Sequence, residues 1–163
     1  GPAENYLDRN AGSMIGLYKS AAEELYFPYV RPQENGHHTD TRWVSLSTGK
    51  KGLLIQADNT IGFNALRNSI EDFDDEEATG LPRQWSNFTP EQVANHDEAA
   101  AKSVLRRQHH INDITPRDFV EVCVDLKQQG VAGYDSWGSR PEPAYTLPAN
   151  REYNWGFTLI PLK

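Results

Sequence analysis

The strongest constraint on the fold is the run of residues 119–126 (FVEVCVDL), in which apolar and acidic side chains alternate. Successive side chains of a strand point to opposite faces. Val120, Val122, Val124 and Leu126 therefore share one face, and the acidic side chains point the other way. A period of two indicates a half-buried strand rather than a helix. Such a strand needs partner strands, so the rest of the chain must supply a sheet.

Three further segments have strand patterns. Residues 41–47 (TRWVSLS) and 51–57 (KGLLIQA) flank Thr48-Gly49-Lys50, a combination that predicts a hairpin. Residues 61–66 form another short candidate strand, and residues 153–160 (YNWGFTLI) alternate in the same way as residues 119–126. Together these segments predict an all-β, antiparallel protein, for which a sandwich is the usual architecture.

The remaining segments predict loops and one helix. We expect residues 1–40 to be mostly loop, with a short helix near residues 18–25. The acidic run at residues 71–77 (EDFDDEE) favours a solvated loop over a calcium site, because it lacks the EF-hand spacing. Thr89-Pro90-Glu91-Gln92 is typical of a helix start, and the alanine-rich stretch to residue 107 should continue that helix. Residues 71–107 are thus predicted to be a surface insertion.

Length and charge exclude several classes of protein. The 163 residues suit a single domain, here taken as residues 1–163. A net charge of −7 disfavours binding to nucleic acid or to an anionic membrane surface. No segment is apolar for long enough to cross a bilayer. Cys123 is the only cysteine, so an internal disulfide is excluded. Cysteine content therefore does not indicate whether the protein resides in an oxidising or a reducing compartment.

The chain begins Gly1-Pro2 and has no signal-peptide pattern. We therefore expect a processed product or a piece of a longer protein. Any localisation signal of that parent would be missing from this sequence.

The sequence contains no motif that identifies a catalytic residue or a metal ligand. Ser136 lacks the first glycine of a nucleophile elbow, and no phosphate-binding loop is present. The pairs His37-His38 and His109-His110 are interpreted as solvated surface histidines, since neighbours on a strand cannot chelate one metal. The chain has 23 Asp and Glu residues, too many for sequence alone to select the carboxylate pair of a glycosidase.

Trp137 is the one aromatic residue whose setting suggests binding. Most aromatic side chains, including Trp43, Trp155 and Phe157, are expected in the core. Trp137 instead lies in a glycine-flanked loop, residues 133–138 (GYDSWG). An indole there offers a flat apolar face to a sugar, but it fits equally well as a side chain that caps the sandwich. The residues alone leave these two interpretations open.

Three motifs together resemble a known family. Residues 1–9 (GPAENYLDR), residues 29–36 (YVRPQENG) with 41–43 (TRW), and residues 133–138 with Tyr145 are similar to motifs of one enzyme domain. That domain is the C-terminal domain of β-galactosidases of glycoside hydrolase family two. The order and approximate spacing of the motifs agree over nearly the whole chain.

This resemblance implies specific properties. The domain is expected to be an antiparallel β-supersandwich similar to the galactose mutarotase fold, with one inserted helix. The catalytic glutamates and the magnesium ligands of such enzymes lie in a separate barrel, so this chain is expected to bind no cofactor and to be inactive alone. Trp137 is expected to contact the galactoside, with the shape of its loop supported by Gly133, Asp135, Ser136 and Gly138. The parent is expected to be homo-oligomeric.

The chain departs from the family pattern at one segment, and two other functions are compatible with its sequence. The segment 71–107 is longer than in typical members and has no functional interpretation. The first alternative is an autonomous carbohydrate-binding module. The second is a mutarotase-like enzyme, whose acid and base could only be Glu34 with His37 or His38. An exposed apolar patch on one flank would favour the enzyme-domain interpretation over both.

Overall fold

The computed structural model describes residues 1–30, 33, 35–73, 111–135 and 138–163. The predicted helix after Thr89, most of the acidic run, His109 and His110 lie outside the described residues. The described part is mainly antiparallel sheet, which confirms the all-β class. Its helical segments are short 3-10 turns: Ala22–Glu24, Ile70–Phe73, Ile111–Asp113 and Pro143–Tyr145. Within this part of the chain, no helix is long and apolar enough to cross a membrane.

Among the described residues, four strands form one sheet. Strand β1 is His38–Thr48, β2 is Lys51–Leu66, β3 is Glu121–Asp125 and β4 is Phe157–Leu162. The strand order is β1-β2-β3, and β4 also pairs with β2. The predicted hairpin is confirmed, with Gly49 at φ +64° in the two-residue turn, a conformation that glycine adopts at little cost. Residues 61–66 are not a separate strand, because β2 continues without a break from Lys51.

The register of β1 on β2 shifts twice, between His38 and Thr41 and between Thr41 and Trp43. Asp40 lies within the first shift and has φ +51°. An extra residue in one strand of a pair produces a bulge that bends the strand. The bulge separates His38, the buried first residue of β1, from the part of the strand that continues to the hairpin, where Trp43 is 47% exposed.

Two compact units can be described separately. The first contains Gly1–Leu25, Gly36–Ala65 and Val122–Lys163, and therefore most of the sheet. Its buried residues combine aliphatic, aromatic and polar side chains. They include Asn5, Tyr6, His37, Ile55, Ile61, Asn64, Ala65 and Ala132.

The second unit contains Tyr26–Asn35 and Leu66–Glu121. Asp72 is buried and accepts hydrogen bonds from the Ser69 N–H (3.0 Å) and from Arg117 Nε (3.0 Å). The hydrogen bond from Arg117 lowers the pKa of the Asp72 carboxyl. Phe73 is also buried and stacks on Tyr26, with 6.3 Å between the ring centroids. The prediction of a solvated loop is therefore wrong at Asp72 and Phe73, the second and third residues of the acidic run.

Two expectations about the aromatic side chains are wrong. Trp43, Trp155 and Phe157 are 47%, 45% and 38% exposed, so none of them is a core residue. Trp155 also precedes β4, which begins at Phe157 rather than at Tyr153. Each of these side chains is therefore only partly covered by the described residues.

Candidate functional site

The candidate site is the loop that connects β3 to the 3-10 turn at Pro143–Tyr145. Of the residues predicted there, Ser136 and Trp137 lie outside the described residues. Gly133 and Gly138 have φ values of +78° and +84°. Both are in the left-handed region that glycine tolerates best, so their identity has a backbone reason. The Asp135 side chain is exposed.

The base of this loop is bound by an acidic residue from the beginning of the chain. Asp8 Oδ1 accepts a hydrogen bond from the Val131 N–H (3.1 Å), and Asp8 Oδ2 accepts one from the Ala132 N–H (2.8 Å). Hydrogen bonds to an ionised carboxylate are stronger than those between neutral groups. Asp8 therefore fixes two successive peptide groups that are more than 120 residues away in sequence.

Arg9 completes this contact from the other side. Its Nη2 donates a hydrogen bond to the Ala132 carbonyl oxygen. Ala132 is 1% exposed and has φ +53°, a region that costs a residue with a side chain roughly 1–2 kcal/mol. Asp8 and Arg9 belong to the N-terminal motif GPAENYLDR, for which no individual role was predicted. The only sequence feature that could have indicated their role is that both belong to the N-terminal motif, which occurs in the family together with the distant GYDSWG segment.

The preceding part of the same motif binds the start of β1. Glu4 Oε2 accepts a hydrogen bond from the Gly36 N–H (2.7 Å). The Asn5 N–H donates to the His37 carbonyl (2.7 Å), and Asn5 Oδ1 accepts from the Thr39 N–H (3.0 Å). The N-terminal motif thus bridges β1 and the loop base, which gives its polar residues a structural function.

His37 and His38 are buried, so the prediction that they are solvated surface residues is wrong. They are 1% and 9% exposed. His37 stacks on Tyr6 (5.8 Å between ring centroids), and His38 stacks on Phe63 (4.9 Å). Burial lowers the pKa of both imidazoles because it disfavours the charged form.

A small cleft lies beside His37 in the same unit. It is lined by Leu7, His37, Thr39, Asp40, Gly62, Leu126, Lys127 and Gln128. His37 Nδ1 and Gln128 Oε1 are buried there without a hydrogen-bond partner among the described residues. Its volume of about 10 Å³ is at the lower limit of the roughly 10–15 Å³ that one water molecule needs. The cleft is therefore too small to hold a sugar.

The described residues contain no group of three His, Cys, Asp or Glu side chains placed to hold a metal ion. The absence of a cofactor from this chain stays a prediction. The pairing of His37 or His38 with Glu34 gains no support, because both imidazoles are buried and Glu34 lies outside the described residues.

Comparison with known proteins gives the family. Residues 1–159 match the family model described as β-galactosidase small chain. The chain belongs to the β-galactosidase small-chain family. It is 35% identical over 163 residues to a β-galactosidase of Priestia megaterium and 29% identical over 164 residues to one of Streptococcus thermophilus. Each alignment covers 99% of this chain.

These relatives are much longer than the small-chain domain. The chain spans 13% of the length of the Priestia and Streptococcus proteins. A β-galactosidase of Arthrobacter sp. (strain B7) is 40% identical over 78 residues, which is 44% of this chain and 8% of that protein. Other domains are therefore implied beside the one described.

Proposed function

We propose that this chain is the C-terminal domain of a retaining β-galactosidase that hydrolyses terminal β-D-galactosides, and that it places Trp137 against the sugar. The observation that carries the proposal is the loop base, where Asp8 and Arg9 bind the backbone that leads into the GYDSWG segment. The family supports the enzyme class. The catalytic carboxylates and the magnesium ligands would lie elsewhere in the enzyme, so the chain alone would not turn over substrate.

Stacking is the physical basis of the proposed contact. One face of a galactose ring carries several C–H groups, and an indole presents a complementary flat apolar surface. Glycines at 133 and 138 permit the backbone turns on either side of Trp137. Asp135 and Ser136 would support the shape of the loop rather than contact the sugar.

Replacing Trp137 with alanine in the complete enzyme should weaken galactoside binding by about 1–3 kcal/mol, if stacking on sugars resembles stacking on bases. The melting temperature should change little, because a loop side chain contributes little to the core. Steady-state kinetics with a chromogenic galactoside would measure the first effect and thermal unfolding the second. The isolated chain, which should give no turnover, provides the blank.

The control is Trp43→Ala, which removes a half-exposed indole from β1. It should leave galactoside kinetics close to those of the wild type. A sharply lowered melting temperature with unchanged kinetics in Trp137→Ala would instead assign Trp137 to packing.

An apolar sheet face supports the interpretation as one domain of a larger enzyme. In the register of β1, β2 and β4, Val44, Ile55 and Leu159 occupy one row. Residues two positions along each strand share that face. The face comprises Val44, Leu46, Leu53, Ile55, Ala57, Phe157, Leu159 and Pro161.

This apolar face is only partly covered. Leu159 is 54% exposed and Phe157 38% exposed, whereas Ile55 in the middle strand is buried. Contiguous apolar surface of this kind marks an interaction site. We assign the remaining part of the β-galactosidase as its occupant, because this chain is only 13% of the length of its relatives. An autonomous sugar-binding module has no need of such a face.

Leu159→Asp should therefore disrupt docking to the rest of the enzyme while leaving the fold of this domain intact. Burying an unpaired carboxylate at the interface is costly, and we expect at least a tenfold loss of galactosidase activity in the complete enzyme. Thr158→Asp is the matched control, since Thr158 is exposed on the opposite face of the same strand. Equal activity of the two variants would count against docking through this face.

A further inference from the structure

The backbone conformation at the loop base is not one that these residues would adopt unaided. Ala132 and Gly133 follow one another with φ values of +53° and +78°. Glycine tolerates this region, but alanine does not. In the absence of outside contacts, residues 131–133 would therefore favour other conformations and send the following segment in another direction.

Two side chains supply the contacts that select this conformation. Asp8 accepts the N–H groups of Val131 and Ala132, and Arg9 donates to the carbonyl of Ala132. Both polar groups of Ala132 are thus bound by adjacent residues of one turn. A side chain at Gly130 would block the approach, because its Cβ would lie 2.7 Å from Asp8 Cγ.

The turn that carries these two residues is itself well supported. The Arg9 N–H donates to the Tyr6 carbonyl (2.8 Å). Tyr6 is buried against His37, and the preceding Asn5 binds the first residues of β1. The loop is therefore connected to the sheet by the hydrogen bonds of Asp8 and Arg9 to the loop base and by those of the preceding residues to β1.

The conformation that Asp8 and Arg9 select at the loop base also affects the described residues that follow it. The Tyr134 N–H donates to Ser139 Oγ (3.0 Å), so the described residues before and after positions 136 and 137 share one hydrogen bond. Tyr134 and Asp135 follow Ala132 and Gly133 directly, so the direction in which they leave the loop base depends on the backbone conformation there.

We infer that Asp8 and Arg9 are positioning residues for galactoside binding. They fix the loop base so that Trp137 faces the sugar, and they do not contact the substrate themselves. This inference rests on the function proposed above, in which Trp137 contacts the galactoside. Misplacement of a binding group by about 1 Å can cost up to about a hundredfold in rate, so loss of this contact should be measurable in the enzyme's kinetics.

The experiment is a double-mutant cycle in the complete enzyme, with Trp137→Ala as one change. Asp8→Asn keeps the size of the side chain but presents an N–H₂ group to one of the two backbone N–H donors. Arg9→Met removes the donor and keeps most of the length, whereas Arg9→Lys retains a cationic donor. Asp118→Asn, at an exposed position, controls for loss of a carboxylate.

We expect Asp8→Asn and Arg9→Met to raise KM for the galactoside about tenfold, with smaller changes in kcat. Arg9→Lys should restore much of the loss, and Asp118→Asn should behave as the wild type. In the Trp137→Ala background, Asp8→Asn should change KM less than twofold, because the residue it positions is gone. Neither positioning variant should exceed the effect of Trp137→Ala.

Additive effects of Asp8→Asn and Trp137→Ala would overturn the inference while leaving the proposed function standing. Unchanged kinetics in Trp137→Ala alone would overturn the proposed function. Hydrogen exchange of the amides of Val131 and Ala132 gives a second test that does not depend on activity. Exchange there should be faster in Asp8→Asn and in Arg9→Met, and unchanged exchange in both would also overturn the inference.

Discussion

Substitution of Gly62 by alanine is expected to destabilise the chain by about 2–3 kcal/mol, the upper part of the range for overpacking a core. A Cβ at Gly62 would lie 2.5 Å from His37 Cε1 and 2.8 Å from His37 Nε2. The imidazole has little room to move, because it is 1% exposed, stacks on the buried Tyr6 and borders only the small cleft described above. Either β2 or the His37 ring must therefore move, and each movement breaks existing packing.

Urea-induced unfolding of the chain would measure this loss. Gly12→Ala is the matched control, because a Cβ at Gly12 would meet no atom within 4 Å. In a His37→Ala background the steric conflict disappears, so Gly62→Ala should then cost little. Equal unfolding midpoints for Gly62→Ala and Gly12→Ala would show that the His37 ring moves aside freely.

The strands could be predicted because their signals are local. Alternation and the turn at Gly49 were sufficient for the β1-β2 hairpin, whose residues are adjacent in sequence. The continuity of β2 could not be predicted, since Asp58 and Asn59 favour turns. Pairing of Ile61 with Thr41 and of Phe63 with His38 extends the strand through them. Strand pairing overrode local propensity there.

The boundary of β4 shows a similar effect. Residues 153–160 alternate in sequence, yet regular pairing with β2 begins only at Phe157. At Gly156 the chain approaches Asp58, whose N–H donates to the Gly156 carbonyl (3.0 Å). A Cβ at Gly156 would lie 2.5 Å from Asp58 Oδ2, so the exposed Asp58 side chain would have to move to admit one. Hydrophobic alternation carries no information about such a contact.

The site was predictable only in part. Gly133 and Gly138 both have positive φ, a conformation that glycine adopts at little cost. Their expected support of the Trp137 loop stays a prediction. The functions of Asp8 and Arg9 depend on Val131 and Ala132, over 120 positions later. No spacing rule relates residues so far apart. The burial of His37 and His38 was missed for the same reason, since Tyr6 and Phe63 come from other segments.

Those two histidines should make the chain sensitive to mild acid. Burial lowers the pKa of His37 and of His38 below the ordinary value of 6.5. For His37, nearby Asp125 and Glu4 oppose that effect and His38 adds to it. For His38, the carbonyls of Gly36 and Pro2 and the charge of Glu4 oppose it, and the N-terminal amine adds to it. Burial is the largest contribution for both imidazoles, so both remain neutral in the folded chain at pH 7.

The sign of the pH dependence follows from proton binding. Below about pH 6.5 the histidines of the unfolded chain take up protons that the folded chain does not. The free energy of unfolding should therefore be highest above pH 6.5 and should fall as the pH decreases below that value. The carboxyl of Asp72, whose pKa is lowered from 3.8, loses its contribution only in a separate, more acidic range.

Urea unfolding at pH 7.5 and pH 5.5 would test this prediction, with a clearly lower midpoint expected at pH 5.5. Replacing His37 and His38 together with glutamine, which does not titrate, should remove most of the difference between the two pH values, even if it lowers stability at both. In NMR spectra of the folded chain, the imidazole resonances of His37 and His38 should titrate at a lower pH than those of an exposed histidine. Equal midpoints at the two pH values in the wild type would contradict the prediction. Protonation would then take place in the folded state, which requires His37 to gain an acceptor for Nδ1, an atom that has no partner among the described residues.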